Sequence, residues 1–269
     1  MRVLPRGLGK YRINNKDVNI AEVETIVVST DTLSFDDYLS SRALHLIAGI
    51  YHNSGVFDIV DYVLKKNNVS KSKIINALHQ RVEDRSSHIL MIVDEFIKDT
   101  KEELFDSEEK CEEFYTCEDN LLKVKNSEIG DNLLWRHIGV SFFKYWEDVV
   151  DELILSLNAL LDIEAKVISD LRAYLLARIV NISAEKIEPI VSIAAETNFI
   201  SEFSGIHSDD NCFLMKMLDE SYDTVSRYKN SFHNNPTSWS VMLAKLRVHR
   251  FVRSDLCAAG DKREIMCGS

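Results

Sequence analysis

AEVETIVVSTDTLSFDDYLSSRALHLIAGIYHN, residues 21–53, decides how the chain reads. A strand-like run, Ile26-Val27-Val28, stops at Ser29-Thr30-Asp31, and a helix starts just beyond it. Ser34 is a good N-cap, and Asp37 stands at the N3 position of a capping box. Leu33 and Tyr38 are placed to staple the start of the helix, and Asp36 and Asp37 suit the positive end of its dipole. Leu39, Ala43, Leu46, Ile47 and Ile50 recur at helical spacing and predict one amphipathic helix over 35–53.

Upstream of that run, residues 1–30 read as extended. Asn14-Asn15-Lys16-Asp17 is a turn, because Asn and Asp tolerate positive φ and bond their own backbone. The segments on either side predict a β-hairpin. Two strands alone are marginal in water, so the hairpin must lean on something.

Downstream of Ser34 the patterning predicts helices and little strand. Helices are expected over 56–66 and, from the Ser70 cap, over a long segment interrupted near Arg85-Ser86-Ser87. Short helices are expected within 99–130. Two long helices are expected over 132–180, with a break near Leu157–Asp162. Ile187, Ile190, Val191 and Ala194 suggest a further helix kinked by Pro189. Helices are also expected over 211–229 and through a basic segment, 239–253. The expected architecture is mainly α: a multi-helix, bundle-like domain over 34–256 with a short N-terminal β-hairpin in 1–33 and a frayed tail, 257–269. Only 3 Pro and 9 Gly in 269 residues agree with that, since hairpins and β-turns consume both.

No apolar run approaches the ~20 residues of a membrane span. MRVLPRGLGK is basic but lacks the apolar centre of a signal peptide. Five Cys at irregular spacing suggest reduced thiols and a cytoplasmic setting. The net charge of −11 argues against general nucleic-acid binding. The charge is uneven: residues 94–119 carry twelve acidic side chains against three Lys, whereas 225–253 carry six Lys/Arg and no acid.

The sequence nominates no catalytic, cofactor-binding or metal-binding residue. Cys111 and Cys117 are six apart, wider than the pairs that begin zinc or iron–sulfur sites, and Cys212, Cys257 and Cys267 are isolated. No His is preceded by Glu at i−3, and no His-Glu-x-x-His occurs. His45 and His52 share a helix face, and His88 lies four residues after Asp84. Each reads most simply as a packed or solvated side chain. Asp36 and Asp37 could serve as an acid–base pair, but capping explains them more simply. Phosphate-binding glycine loops and a Gly-x-Ser-x-Gly elbow are absent from the sequence. Lys245, Arg247, His249, Arg250 and Arg253 would line a basic helix that faces solvent or pairs with the chain's own acidic stretch, with an anionic ligand or RNA as the less simple reading.

Arg2-Val3-Leu4-Pro5-Arg6, Glu24-Thr25-Ile26-Val27-Val28-Ser29-Thr30, Leu33-Ser34-Phe35-Asp36-Asp37-Tyr38 and Arg42 together resemble a region of cobalamin-binding radical S-adenosylmethionine proteins. That region lies in their C-terminal part, after the catalytic motif. The resemblance covers roughly residues 2–60. It implies that residues 22–30 are a late strand of a partial barrel and that the helix from Ser34 opens a C-terminal helical region. In the full-length family a 4Fe-4S cluster, S-adenosylmethionine and cobalamin are implied. Here the cluster motif Cys-x-x-x-Cys-x-x-Cys and the cobalamin-binding region are missing, so the expectation is a fragment or stand-alone derivative.

Such a chain would be an accessory helical region, not catalytic by itself, becoming part of a radical enzyme only if an upstream cluster-binding part completes it. Exposed apolar surface is expected around Val23, Ile26 and Val28 unless the hairpin folds back on the helices or a protein partner covers it. The alternative is an all-α interaction module that uses the acidic stretch 94–119 or the basic helix 239–253 as its contact.

Overall fold

The computed structural model describes residues 1–125, 129, 132–181, 184, 186–217, 222–223 and 250–252. The first helix, α1 (Phe35–Ala48), starts as its sequence dictates. The Asp37 N–H donates to Ser34 Oγ at 3.0 Å, and the Ser34 N–H donates to Asp37 Oδ2 at 2.9 Å. The Ser34 hydroxyl also donates to Asp37 Oδ2 at 2.7 Å; this bond first, and then the one from the Ser34 N–H, favours the carboxylate and holds the Asp37 pKa below its ordinary value. The Phe35 and Tyr38 rings stack in the first turn, centroids 6.0 Å apart. Leu39, Ala43, Leu46 and Ile47 are buried.

The expected helix over 35–53 changes character at Gly49. A π-turn, Gly49–Asn53, replaces its last turn. A Cβ at Gly49 would stand 2.8 Å from Ile138 Cδ1, so glycine lets another helix pass close to the backbone here.

Among the described residues eight more helices follow before the chain turns to strand: α2 (Asp58–Lys66), α3 (Lys71–Glu83), α4 (Leu90–Glu102), α5 (Glu108–Thr116), α6 (Glu118–Lys125), α7 (Leu133–Phe143), α8 (Trp146–Leu160) and α9 (Ala165–Arg178). The expected interruption near Arg85 is present, with Arg85 at φ 56°. The segment expected to hold two helices over 132–180 holds three, α7 to α9, because Lys144 and Tyr145 add a second break. Most of the helices share one core, in which Leu46, Ile50, Leu64, Leu78, Phe96, Phe142, Leu157 and Leu175 are all buried. The fold is mainly α, as expected.

Parts of two predicted helices are strands. Ile190–Ala194 is β3 and Cys212–Met217 is β4, with a short α10 (Phe199–Ser204) between them. A third strand, β5 (Arg250–Val252), completes an antiparallel sheet of order β3-β4-β5. Phe213, Met215 and Met217 alternate inward along β4, and Ile193 of β3 pairs with Phe213. The predicted basic helix over 239–253 falls mostly outside the described residues, but its Arg250 lies in a strand and is buried.

Buried charges tie distant segments together. Glu152 of α8 is wholly buried. It accepts from Arg81 Nε at 2.6 Å, from Arg81 Nη2 at 3.3 Å and from the His88 N–H at 2.7 Å. Asp170 accepts from the backbone of Glu196 and Thr197 and from the Thr197 hydroxyl, fixing the loop before α10. Arg178 donates to Asp58 Oδ2 at 2.9 Å and to the Arg250 carbonyl at 3.0 Å. Arg250 in turn donates to the carbonyls of Ala177, Ile179 and Glu188.

The N-terminal hairpin pairs β1 (Arg2–Ile13) with β2 (Lys16–Ile26). Asn14 and Asn15 take φ of 49° and 58°, the left-handed values that a tight two-residue turn demands. The barrel expectation places a strand through Thr30. Instead β2 ends at Ile26, its described partner is antiparallel, and Val28 is buried. The hairpin does fold back on the helices. Asn19, Ala21, Val23 and Thr25 alternate onto one face, and α5 lies along it. Asn19 Nδ2 donates to the Thr116 carbonyl and Thr25 Oγ1 to Glu108, with Ala21 buried among Val3, Cys111 and Tyr115. Val23 and Ile26 are half-buried, and the exposed apolar residue near them is Val27.

A register shift between Pro5 and Gly7 changes which side chains of β1 meet α5. Before it, Val3 and Pro5 point to the α5 side, opposite Thr25 and Val23. After it the parity flips, so Gly9, Tyr11 and Ile13 share the far face with Ile20, Val18 and Lys16. The Tyr11 ring lies back over Gly9, where a Cβ would meet it at 2.7 Å.

Removing the Glu152 carboxylate leaves Arg81 and the His88 amide without their acceptor. Glu152→Ala is expected to lose about 3–5 kcal/mol in urea unfolding, with the denaturant slope unchanged; a loss below about 1 kcal/mol would mean that the buried pair is not a staple.

Candidate functional site

The helix α7 brings a histidine into the interior. Asn132 caps it, its side chain accepting from the Trp135 N–H at 3.3 Å. The largely apolar helix LLWRHIGVSFF then turns His137 inward with Ile138 and Ser141. His137 is almost fully buried. Its Nε2 stands 2.9 Å from Asp99 Oδ2 on α4, and the Arg136 guanidinium lies 3.9 Å from the same oxygen. The bond from His137, ahead of the cost of burial, holds the Asp99 carboxyl below its ordinary pKa.

Phe96, one turn before Asp99, gathers the neighbours. The His137 ring meets it edge-on at 5.3 Å, and the Arg42 guanidinium lies 5.0 Å from its centroid. Three buried polar atoms in this neighbourhood, Arg42 Nε, Thr100 Oγ1 and His137 Nδ1, have no hydrogen-bond partner. Beside the pair a cavity of about 180 Å³ opens between Asp99, Glu102, Phe105, Phe114 and Arg136.

An imidazole that donates Nε2–H to Asp99 keeps Nδ1 as a base, the orientation found where a carboxylate fixes a histidine tautomer. The Ser141 hydroxyl, the nearest alcohol on α7, donates instead to the His137 carbonyl at 2.7 Å. The geometry therefore supplies a positioned imidazole without an aligned nucleophile, and it couples α4 to α7.

The residues weighed in the sequence are not brought together. His45, His52 and His88 are exposed, and the π-turn shifts His52 out of the phase it would share with His45. His88 contributes its backbone to Glu152. Asp36 and Asp37 are exposed at the start of α1, Asp37 within its cap. Cys111 is buried under the hairpin, where burial pushes its thiol up to about 11; Cys117 is exposed and Cys212 is half-buried in β4. Cys257, Cys267, Lys245, Arg247, His249 and Arg253 lie outside the described residues. Among the described residues no group of three or more His, Cys, Asp or Glu is arranged to hold a metal ion, and no helix is long and apolar enough to cross a membrane. His137 and Asp99 were not paired in the sequence reading because 38 residues separate them.

A second surface feature lies at the free end of the hairpin. Lys10 and Asn19 border a groove of about 440 Å³ whose other wall is α6, through Glu118, Asp119, Leu121 and Leu122. Leu122 is 58% exposed, and Phe114 of α5 is exposed as well.

No protein-family model matches the chain, and no curated protein or solved structure shows significant similarity to it.

The depressed Asp99 pKa has a defined sign. Its contribution to stability is fully present above the ordinary carboxylate pKa of about 4 and is lost as pH falls through the lowered value. Asp99→Asn is therefore expected to show a shallower fall of its urea midpoint between about pH 6 and pH 2 than the parent protein; parallel acid limbs would contradict the pairing.

Proposed function

We propose that the chain is a non-catalytic helical accessory region of the kind that follows the barrel in cobalamin-dependent radical S-adenosylmethionine proteins, and that it acts by holding a protein partner. The observation that carries this reading is the hairpin. It stands on the segment that resembles the family, and α5 covers only one of its faces. Tyr11, Ile13 and Val18 remain 51%, 49% and 39% exposed on the other. The buried charges support the non-catalytic part of the reading. Glu152 and Asp170 accept from backbone groups, from Arg81 and from the Thr197 hydroxyl, and Arg250 donates to backbone carbonyls.

The described cysteines do not suit a 4Fe-4S cluster. Cys111 is enclosed, and its raised pKa disfavours the thiolate that binds iron. Cluster, S-adenosylmethionine and cobalamin would belong to a separate cluster-binding partner, in a cytoplasmic setting.

A second reading, a protein-interaction module, is favoured by exposed Phe114 and Leu122 among the carboxylates of α5 and α6. Its other candidate contact loses Arg250, which is buried against backbone carbonyls.

Anaerobic reconstitution of the purified chain with iron and sulfide is expected to leave no cluster absorbance after desalting. A retained chromophore that Cys111→Ser abolishes would overturn the accessory reading.

A further inference from the structure

A two-stranded sheet normally covers at most one face with its own helix and presents polar residues on the other. This hairpin departs from that rule near its tip. The parity flip after Pro5 places Tyr11 and Val18 directly opposite each other on the face away from α5, with Ile13 and Ile20 beside them. A cross-strand pair of an aromatic and a β-branched residue, flanked by isoleucines, is the pattern of a packed face rather than a solvated one. The tip is also basic: within residues 10–17 stand Lys10, Arg12 and Lys16 against Asp17 alone.

The complementary surface is on the same chain. The groove beside the tip is walled by Leu121 and Leu122 for an apolar side chain and by Glu118 and Asp119 for a cation. Its floor reaches Gly9 and Asn19, so tip and groove occupy the same end of the molecule. Within one copy the tip's apolar face points away from α5, the helix that precedes α6, and the tip cannot seat in its own groove.

We propose that this end of the molecule is a homodimer interface, in which the hairpin tip of one copy seats Tyr11 and Ile13 in the α6 groove of a second copy. Lys16, which shares that face with Ile13, then approaches Glu118 and Asp119 of that copy. An isologous interface requires one two-fold axis to make both contacts at once. The proposal rests on the interaction-module reading of α5 and α6 and names its partner. Desolvated apolar side chains ringed by opposite charges give such an interface both affinity and register.

Sedimentation equilibrium of the full chain tests this. At ~100 µM the parent protein is expected to show twice the monomer mass, dissociating more readily as salt rises from about 0.1 M to about 1 M. Tyr11→Asp with Ile13→Asp should weaken dimerisation at least about tenfold while the circular dichroism spectrum stays that of the parent. Lys16→Glu in one variant, and Glu118→Lys with Asp119→Lys in another, should each weaken dimerisation. An equimolar mixture of these two variants should recover the dimer, since both contacts then regain opposite charges. A monomeric parent at that concentration, a dimer indifferent to these substitutions, or failure of the mixture to associate would overturn the proposal. A monomeric parent that instead binds a purified cluster-binding protein would overturn the second-copy assignment while leaving the accessory function standing.

Discussion

Glu152 is a carboxylate without access to water, and three donors converge on it from two other places in the chain. Arg81 comes from the last turn of α3 and the His88 amide from the break before α4. A buried carboxylate is tolerated only when its oxygens are satisfied, so α3, the α3–α4 break and α8 must arrive together or not at all. The same logic recurs at the other end of the core. Arg178 and Arg250 close a circuit of carbonyls around the end of α9, which fastens β5 to the helices and completes the small sheet. Charge that could have served chemistry is thereby committed to holding helices at fixed spacing.

That commitment shapes the functional reading. His137 and Asp99 have the geometry of an oriented base, but the ring is enclosed by α1, α4 and α7 and has Phe96 against its edge. The groups that do face outward are of another kind: an aromatic and aliphatic hairpin tip, and an acidic helix pair with Leu122 and Phe114 exposed. Surfaces of that composition suit association better than catalysis.

Much of the fold was legible where the physics is local. Ser34 and Asp37 sit three residues apart, so a capping box can be read directly, as can the Asn14-Asn15 turn and the break at Arg85. The strands β3 and β4 were misread because a short apolar run such as IVSIA fits either period, and strand pairing is settled by partners far along the chain. The period of two in CFLMKM, with Phe213, Met215 and Met217 inward, was the available signal. The close approach at Gly49 could not be read either, since Ile138 lies 89 positions away in the chain. Site geometry was hidden for the same reason: Asp99 and His137 become neighbours only through the packing of α4 on α7.

The central claim is that the uncovered hairpin face and the α6 groove form a single contact surface. Amide hydrogen exchange of the full chain, followed residue by residue at low and high protein concentration, tests it most directly. The account predicts that residues 9–20 and 118–124 gain protection together as concentration rises, with the helical core around Glu152 unchanged. Protection in those two segments that is independent of concentration, or that changes in one without the other, would contradict it.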